Sequence, residues 1–299
     1  MEQVVLGGKE YYLVKNLREN EELRKSYNEL TKKVYGFDFE GWYQKGYWKD
    51  NYQPYTLVAE NKAVANVSLN RMEFTVFGET KHFLQIGTVM TDPCYRGMGL
   101  SRFLIEKILL EENGKWDMIY LFANDEVLNY YPKFGFRAYY EYQYEKDIVN
   151  HNPIIWAERL NMNLLKNVNF VQEQIRSAKP VSELTMMNHT ELVMFYCISS
   201  QKENIYYIHE LQAVTIAEYH EDTLYLMDVY AQGEVNLEEV IDAMTNYKIH
   251  KVILGFTPKH AAEFNVVVRK EENTTLFIKN DASKLFLNHK LMFPVMSHA

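Results

Sequence analysis

The hydrophobic positions change period along the chain and so mark out its elements. Residues 11–17 (YYLVKNL) read as a strand; after Asn20, Leu23, Tyr27, Leu30 and Val34 recur at helical spacing until Gly36 stops them. Residues 55–60 (YTLVAE), 63–77 (AVANVSLNRMEFTVF) and 82–91 are three strands joined by the short turns Asn61-Lys62 and Gly78-Glu79, which makes an antiparallel meander. Residues 101–112 form an amphipathic helix with Phe103, Leu104 and Ile108 on one face, stopped by Asn113-Gly114. The continuous apolar run 118–123 (MIYLFA) suits a strand buried on both faces. A short helix over VLNYYPKFG ends at Gly135, and 136–146 (FRAYYEYQYEK) alternates as a last strand.

The stretch after HNPIIWAERLN repeats that order. Residues 164–176 are helical and a further helix lies within 182–199; IYYIHE, LQAVTIAEYH and TLYLMDVYA alternate as strands. NLEEVIDAMTNY is helical, and KVILGF and TTLFIKN are strands. The shared order predicts a duplicated α/β (α+β) chain with domains at 1–150 and 151–299. Each has a mixed, mostly antiparallel central sheet flanked by helices. At 299 residues, 47% of them hydrophobic, the chain is long enough to bury two cores.

Composition narrows the function classes. A formal net charge of −8 argues against a general nucleic-acid binder and suits cationic amine substrates by steering. The two cysteines, Cys94 and Cys197, are far apart and form no Cys/His cluster, so no disulfide framework and no metal site is expected; a reducing cytoplasm fits. No leader and no apolar run of about 20 residues occurs, which predicts a soluble protein with no membrane partner.

The chemistry centres on residues 84–110, an apolar strand, a turn with Pro93, the loop RGMGLS and a helix. Free N–H groups at a helix start, with the helix dipole, favour an anion, and Gly97 and Gly99 let the backbone approach a phosphate closely. Neither GK[ST] nor a third glycine is present, so this is not a P-loop or a dinucleotide loop. The crowded aromatics Trp42, Tyr43, Tyr47, Trp48, Tyr52 and Tyr55 are either a wall for an acceptor or packing for a short helix on the sheet.

VMTDPCYRGMGLSRFL followed by YYPKFGF resembles the GCN5-related N-acetyltransferases, over roughly residues 10–147. Their acetyl-CoA loop, Q/R-x-x-G-x-G/A, is matched by Arg96, Gly99 and Ser101, and their FYxKxGF by Tyr130 to Phe136. The resemblance implies acetyl-CoA as co-substrate. Its diphosphate would lie on the amides of Gly97, Met98, Gly99, Leu100, Ser101 and Arg102. Its pantetheine arm would pair with the backbone of Val89, Met90 and Thr91 and with Asn124. Tyr131 takes the place of the acid that reprotonates the departing thiolate, beside Tyr130, and a phenol suits that role. Ser101 and Met98 depart from the small apolar and basic residues usual in the family.

The position where one branch of the family carries a catalytic Glu holds Gln85, which cannot take a proton. Solvent reached through waters, Glu73 and His82 remain as candidates for the base. In the second half the corresponding loop is QGEVN, with one glycine and no arginine, which predicts a degenerate acetyltransferase-like domain without a cofactor loop. A tandem with one silent half is similar to the enhanced-intracellular-survival acetyltransferases, whose terminal carboxylate acts as base. Here the tail LMFPVMSHA either docks for stability, frays, or brings the Ala299 carboxylate or the His298 imidazole to the site. The function these features point to is N-acetylation of a primary amine on a small molecule or peptide. A non-catalytic acyl-CoA-binding or sensing module, and an interaction protein using residues 42–55, are the alternatives. The acceptor and homo-oligomerisation stay open.

Overall fold

A computed structural model describes residues 1–149, 153, 155–281 and 284–299. The chain begins with a hairpin of β1 (Glu2–Leu6) and β2 (Lys9–Val14), then runs through helices α1 (Glu21–Tyr35) and α2 (Glu40–Gln44). The meander follows as β3 (Tyr52–Ala59), β4 (Lys62–Val76) and β5 (Glu79–Thr91), then helix α3 (Leu100–Glu111) and strand β6 (Met118–Ala123). Both ends of α1 are fixed locally: the Asn20 side chain accepts from Leu23 N–H at 3.0 Å, and Gly36 takes φ 82° as the left-handed cap.

Beyond β6 the predicted helix VLNYYPKFG is two 3-10 turns, Asp125–Val127 and Tyr131–Phe134. Pro132 removes a donor there, and Gly135 at φ 85° ends the second turn. The predicted strand 136–146 is broken at Tyr140-Glu141 into β7 (Arg137–Tyr139) and β8 (Tyr142–Asp147). The remaining elements are β9 (Ala157–Arg159), α4 (Leu165–Ser177), β10 (Leu184–Met187), α5 (Thr190–Cys197), β11 (Ile205–Ile208), β12 (Ala213–His220) and β13 (Thr223–Ala231). They end with α6 (Leu237–Met244), β14 (Lys251–Leu254), β15 (Asn265–Val268), β16 (Thr275–Lys279) and the single turn α7 (Leu285–Asn288). Part of HNPIIWAERLN lies outside the described residues.

Two mixed sheets form. One runs β1-β2-β3-β4-β5-β6-β16-β7, with β10 added to β4; the other runs β15-β8-β14-β13-β12-β11-β9. In each, three antiparallel strands (β3-β4-β5, β11-β12-β13) lead through one helix to a strand parallel to the third, β5 with β6 and β13 with β14. Strands nevertheless cross the expected boundary at residue 150: β10 and β16 complete the first sheet, and β8 lies in the second.

One face of the first sheet packs α3 through Leu100, Leu104, Ile105 and Ile108 on Leu57, Leu69, Leu84 and Leu121. The other face carries α1 and α2 and meets α4 and α5 of the second half in one shared core. The aromatic stretch is that junction except at Tyr55, which lies on the α3 face with its hydroxyl donating to Glu111 at 2.8 Å. Trp42, Tyr47, Trp48, Tyr52 and Tyr55 are each at most 7% exposed, with Trp42 Nε1 donating to the Glu191 carbonyl at 2.7 Å and the Tyr47 hydroxyl to Gln172 Oε1 at 2.9 Å. These rings pack; they are not an acceptor wall. No helix among the described residues is long and apolar enough to cross a membrane.

Candidate active site

Strands β5 and β6 pair only over Phe83–Gln85 and Met118–Tyr120, then part. The cause is a bulge on the far edge of β5. Ser68 faces Gly87 and Asn66 faces Met90, so Thr88 and Val89 both oppose Val67, and Thr88 sits at φ 46°. The strained residue is over-determined by its partners: Asn66 Nδ2 donates to the Thr88 carbonyl at 2.9 Å, and the Tyr52 hydroxyl donates to Thr88 Oγ1 at 3.1 Å. Tyr52 also bonds Tyr27 and Ser68, so the network behind the bulge is buried and satisfied. Past the bulge, Asp92 N–H bonds the Val64 carbonyl at 2.8 Å. Alternation then turns the main-chain groups of Met90 toward β4 and those of Val89 and Thr91 toward the open side.

At the mouth of this opening lies RGMGLS. Asp92, held by Lys33 at 2.8 Å, caps the turn by accepting from Cys94 N–H at 2.9 Å, and this fixes the approach to the loop. Gly97 and Gly99 have φ 76° and 78°, and a Cβ on either would project into open space. Gly99 is the N-cap of α3 without a side-chain cap, and no acid lies in the first turn. Among the described residues, no protein group accepts from the N–H groups of Gly97 through Arg102. Such a row of free amides on a positive helix end is an anion cradle. Arg96, Met98 and Arg102 are exposed around it.

The equivalent helix of the second sheet is built in the opposite sense. The Asn236 side chain accepts from Glu238 N–H at 3.0 Å, and Glu238 and Glu239 occupy the first turn of α6. Cap and acids use up and repel what the α3 end leaves open. The opening beside β13 is filled as well. Gly255 continues from β14 with its N–H on the Leu226 carbonyl at 2.8 Å, and its own carbonyl accepts from Val295 N–H at 2.9 Å.

Tyr131 lies 5% exposed on the β6 side, with Tyr130, Phe136 and Phe277 around its ring; its hydroxyl has no hydrogen-bond partner among the described residues. Burial raises its pKa well above the ordinary tyrosine range. Tyr130 is tied to the cradle, its hydroxyl 3.0 Å from Ser101 Oγ. The turn is braced from the second half: Lys279 of β16 donates to the Phe134 carbonyl at 2.7 Å. Asn124 is exposed at the end of β6.

The tail enters the same opening. The Gln85 amide, in the orientation that satisfies both its ends, donates to the Ser297 carbonyl and accepts from Ala299 N–H, each at 3.1 Å. The Tyr196 hydroxyl donates to the His298 carbonyl, and the His298 ring stacks on Phe122 with centroids 3.8 Å apart. Ala299 rests on Gly87, where a Cβ would lie 2.9 Å from the Ala299 carbonyl carbon. Burial, helped by Arg269, holds the His298 pKa well below its ordinary value, which makes the ring a weak base. Glu73 and His82 lie opposite each other in the strand register at the other end of β4 and β5, and Glu73 accepts from Asn188 Nδ2 at 2.8 Å. Neither reaches the cleft, so both are removed as bases. Among the described residues no group of three or more His, Cys, Asp or Glu could hold a metal ion.

Residues 15–139 match the family described as acetyltransferase (GNAT) domain. This region of the chain belongs to the GNAT acetyltransferases. A search of curated proteins finds no match. Among solved structures, a probable N-acyltransferase from Enterococcus faecalis V583 has 13% identity and a TM-score of 0.57, over 93% of this chain and 73% of that one. A GCN5-related N-acetyltransferase from Kribbella flavida gives 14% and 0.56, over 90% and 70%. Eis1 from Mycobacterium abscessus gives 12% and 0.56, over 89% and 72%. The likeness extends over both sheets, and at these identities it speaks to fold. The GNAT match lies on the sheet with the uncapped helix start and the open cleft.

Proposed function

We propose that the protein transfers an acetyl group from acetyl-CoA to a primary amine by direct attack, and that residues 151–299 are a degenerate acetyltransferase-like partner without chemistry of its own. The observation that carries this is the contrast between the two helix starts: Gly97–Arg102 offer unpartnered amides, whereas Asn236 and Glu238 close the second. The diphosphate lies on those amides, and the pantetheine arm runs along Val89 and Thr91 into the opening between β5 and β6. Asn124 and Arg96 flank it. The amine attacks the thioester carbonyl there; a C–N bond forms, the C–S bond breaks, and the thiolate takes the Tyr131 proton. Burial keeps the phenol protonated in the resting site, and the phenolate left after transfer regains its proton from solvent. The amine's own proton leaves to water at the mouth beside Ala299.

The test is acetyl-CoA binding by calorimetry together with thiol release across a panel of primary amines. Binding with transfer is expected. Tyr131→Phe should lower kcat about a hundredfold or more and leave the acetyl-CoA affinity unchanged. Binding with no transfer to any amine would defeat the enzyme reading in favour of a sensing module.

A further inference from the structure

The GNAT match leaves the acceptor undefined, and the side of the cleft facing the cradle bears on it. Of the rings buried in the junction between the halves, Trp48 and Tyr52 border a polar cavity with Lys15, Arg18 and Arg71, and two others in that region are open: Tyr35 is 44% exposed and Phe37 41%. They stack on each other with centroids 6.1 Å apart, and Phe37 meets the half-buried Phe195 at 5.8 Å. Both ends of this row are anchored at the cleft. The Tyr35 hydroxyl donates to the Val89 carbonyl at 2.7 Å, on the strand that faces the opening. Phe195 adjoins Tyr196, whose hydroxyl holds the His298 carbonyl in the tail. Tyr35, Phe37 and Phe195 thus form an aromatic rim that runs from β5 to the helix whose Tyr196 holds the tail.

Three of the carboxylates around the rim are already matched by cations. Asp92 is paired with Lys33 at 2.8 Å, Glu191 with Lys49 at 2.5 Å and Glu40 with Arg24 at 3.1 Å. The Asp38 carboxylate accepts from Glu40 N–H at 3.1 Å. A polycationic acceptor would need several free carboxylates, because each ammonium it buries must be paired. An aromatic body needs ring faces and edges, which the rim supplies, and a single ammonium can stay at the wet mouth until it deprotonates.

The geometry points to an acceptor that is a primary amine on an aromatic body, of the arylalkylamine class, in place of an amino sugar or a polyamine. This rests on the acetyltransfer reading, so binding and turnover are read separately. With the full chain and saturating CoA, equilibrium binding of phenethylamine, kanamycin and spermidine is compared, in the parent protein and in Phe37→Ala. Phenethylamine is expected to bind best, and Phe37→Ala to weaken it about tenfold, the loss of one ring contact. Phe37→Leu, which keeps an apolar side chain, should recover part of that loss, and acetyl-CoA affinity should not move in either variant. Tighter binding of kanamycin or spermidine, or phenethylamine binding unchanged by Phe37→Ala, overturns the assignment. Acetyl transfer from acetyl-CoA is then scored on the same amines. If the aromatic amine binds through Phe37 and no amine is acetylated, the rim assignment stands and the acetyltransfer reading falls.

Discussion

Gly87 shows how much one missing methyl group can decide. It lies in β5, buried, with the tail residue Ala299 against it and Gln85 two positions back gripping Ser297 and Ala299. An alanine there would overlap the Ala299 main-chain oxygen, and strand backbone cannot give way as a flexible side chain does. Gly87→Ala is therefore expected to expel residues 297–299 from the cleft and to lower kcat/KM for the amine by about tenfold or more, since misplacement near the reacting atoms is costly. The cradle, on the other side of the opening, should keep its affinity for acetyl-CoA. Limited carboxypeptidase digestion would report the released tail directly; a variant with a protected tail and full turnover would show that the contact is only packing. A glycine inside a strand pattern is a known sign of a bulge or a close backbone approach, so Gly87 was readable in principle. What approaches it comes from more than two hundred positions away, and no local pattern carries that.

At the scale of elements, the α3 start was legible because everything that makes it is contiguous: glycines at the two left-handed positions, no capping side chain, no acid in the first turn. Its capped counterpart in the second half was legible for the same reason, as QGEVN followed by two glutamates. The two helices make a matched pair of tests. Gly99→Val places a branched side chain at φ 78° and projects it into the cradle, and it should weaken acetyl-CoA binding about tenfold or more while costing about 1–2 kcal/mol of stability. Asn236→Ala should cost about 1 kcal/mol through the lost cap and leave acetyl-CoA binding unchanged. Equal loss of binding in both variants, measured by calorimetry at a temperature where both are folded, would mean that the cradle has no special role. The aromatic segment was harder to read. Trp42, Trp48 and Tyr52, crowded into one short piece, suit an open wall and a buried junction equally. Only the second half, through Glu191, Gln172 and Phe195, settles it as junction. Tyr35 and Phe37, at the end of a helix and just past its glycine cap, carry no such density, and no local pattern marks them.

For the molecule as a whole, the repeat in the sequence gives the meander, helix and parallel strand that each half contains and the wrong allocation of strands between the sheets. The meander pairs are neighbours in sequence, so their register follows from short turns. β10 and β16 have no such neighbour. β10 extends β4 beyond the end of β3, pairing Leu184 to Met187 with Val76 to Glu73, and β16 covers the outer edge of β6 from Lys279 to Thr275. β6 carries the buried run MIYLFA and would otherwise present an apolar edge, while Phe277 packs on Tyr131 and Lys279 braces the turn that holds it. The second half is thus a structural part of the proposed catalytic sheet. Separate production of residues 1–150 and 151–299 is therefore expected to give two chains that aggregate or melt without a cooperative transition. Mixing them during refolding should restore one cooperative transition together with acetyl-CoA binding. If residues 1–150 alone melt cooperatively and bind acetyl-CoA as the whole chain does, β10 and β16 are dispensable. In that outcome the strand crossing would be a decoration on an independent domain, and the brace on Tyr131 would have no functional weight.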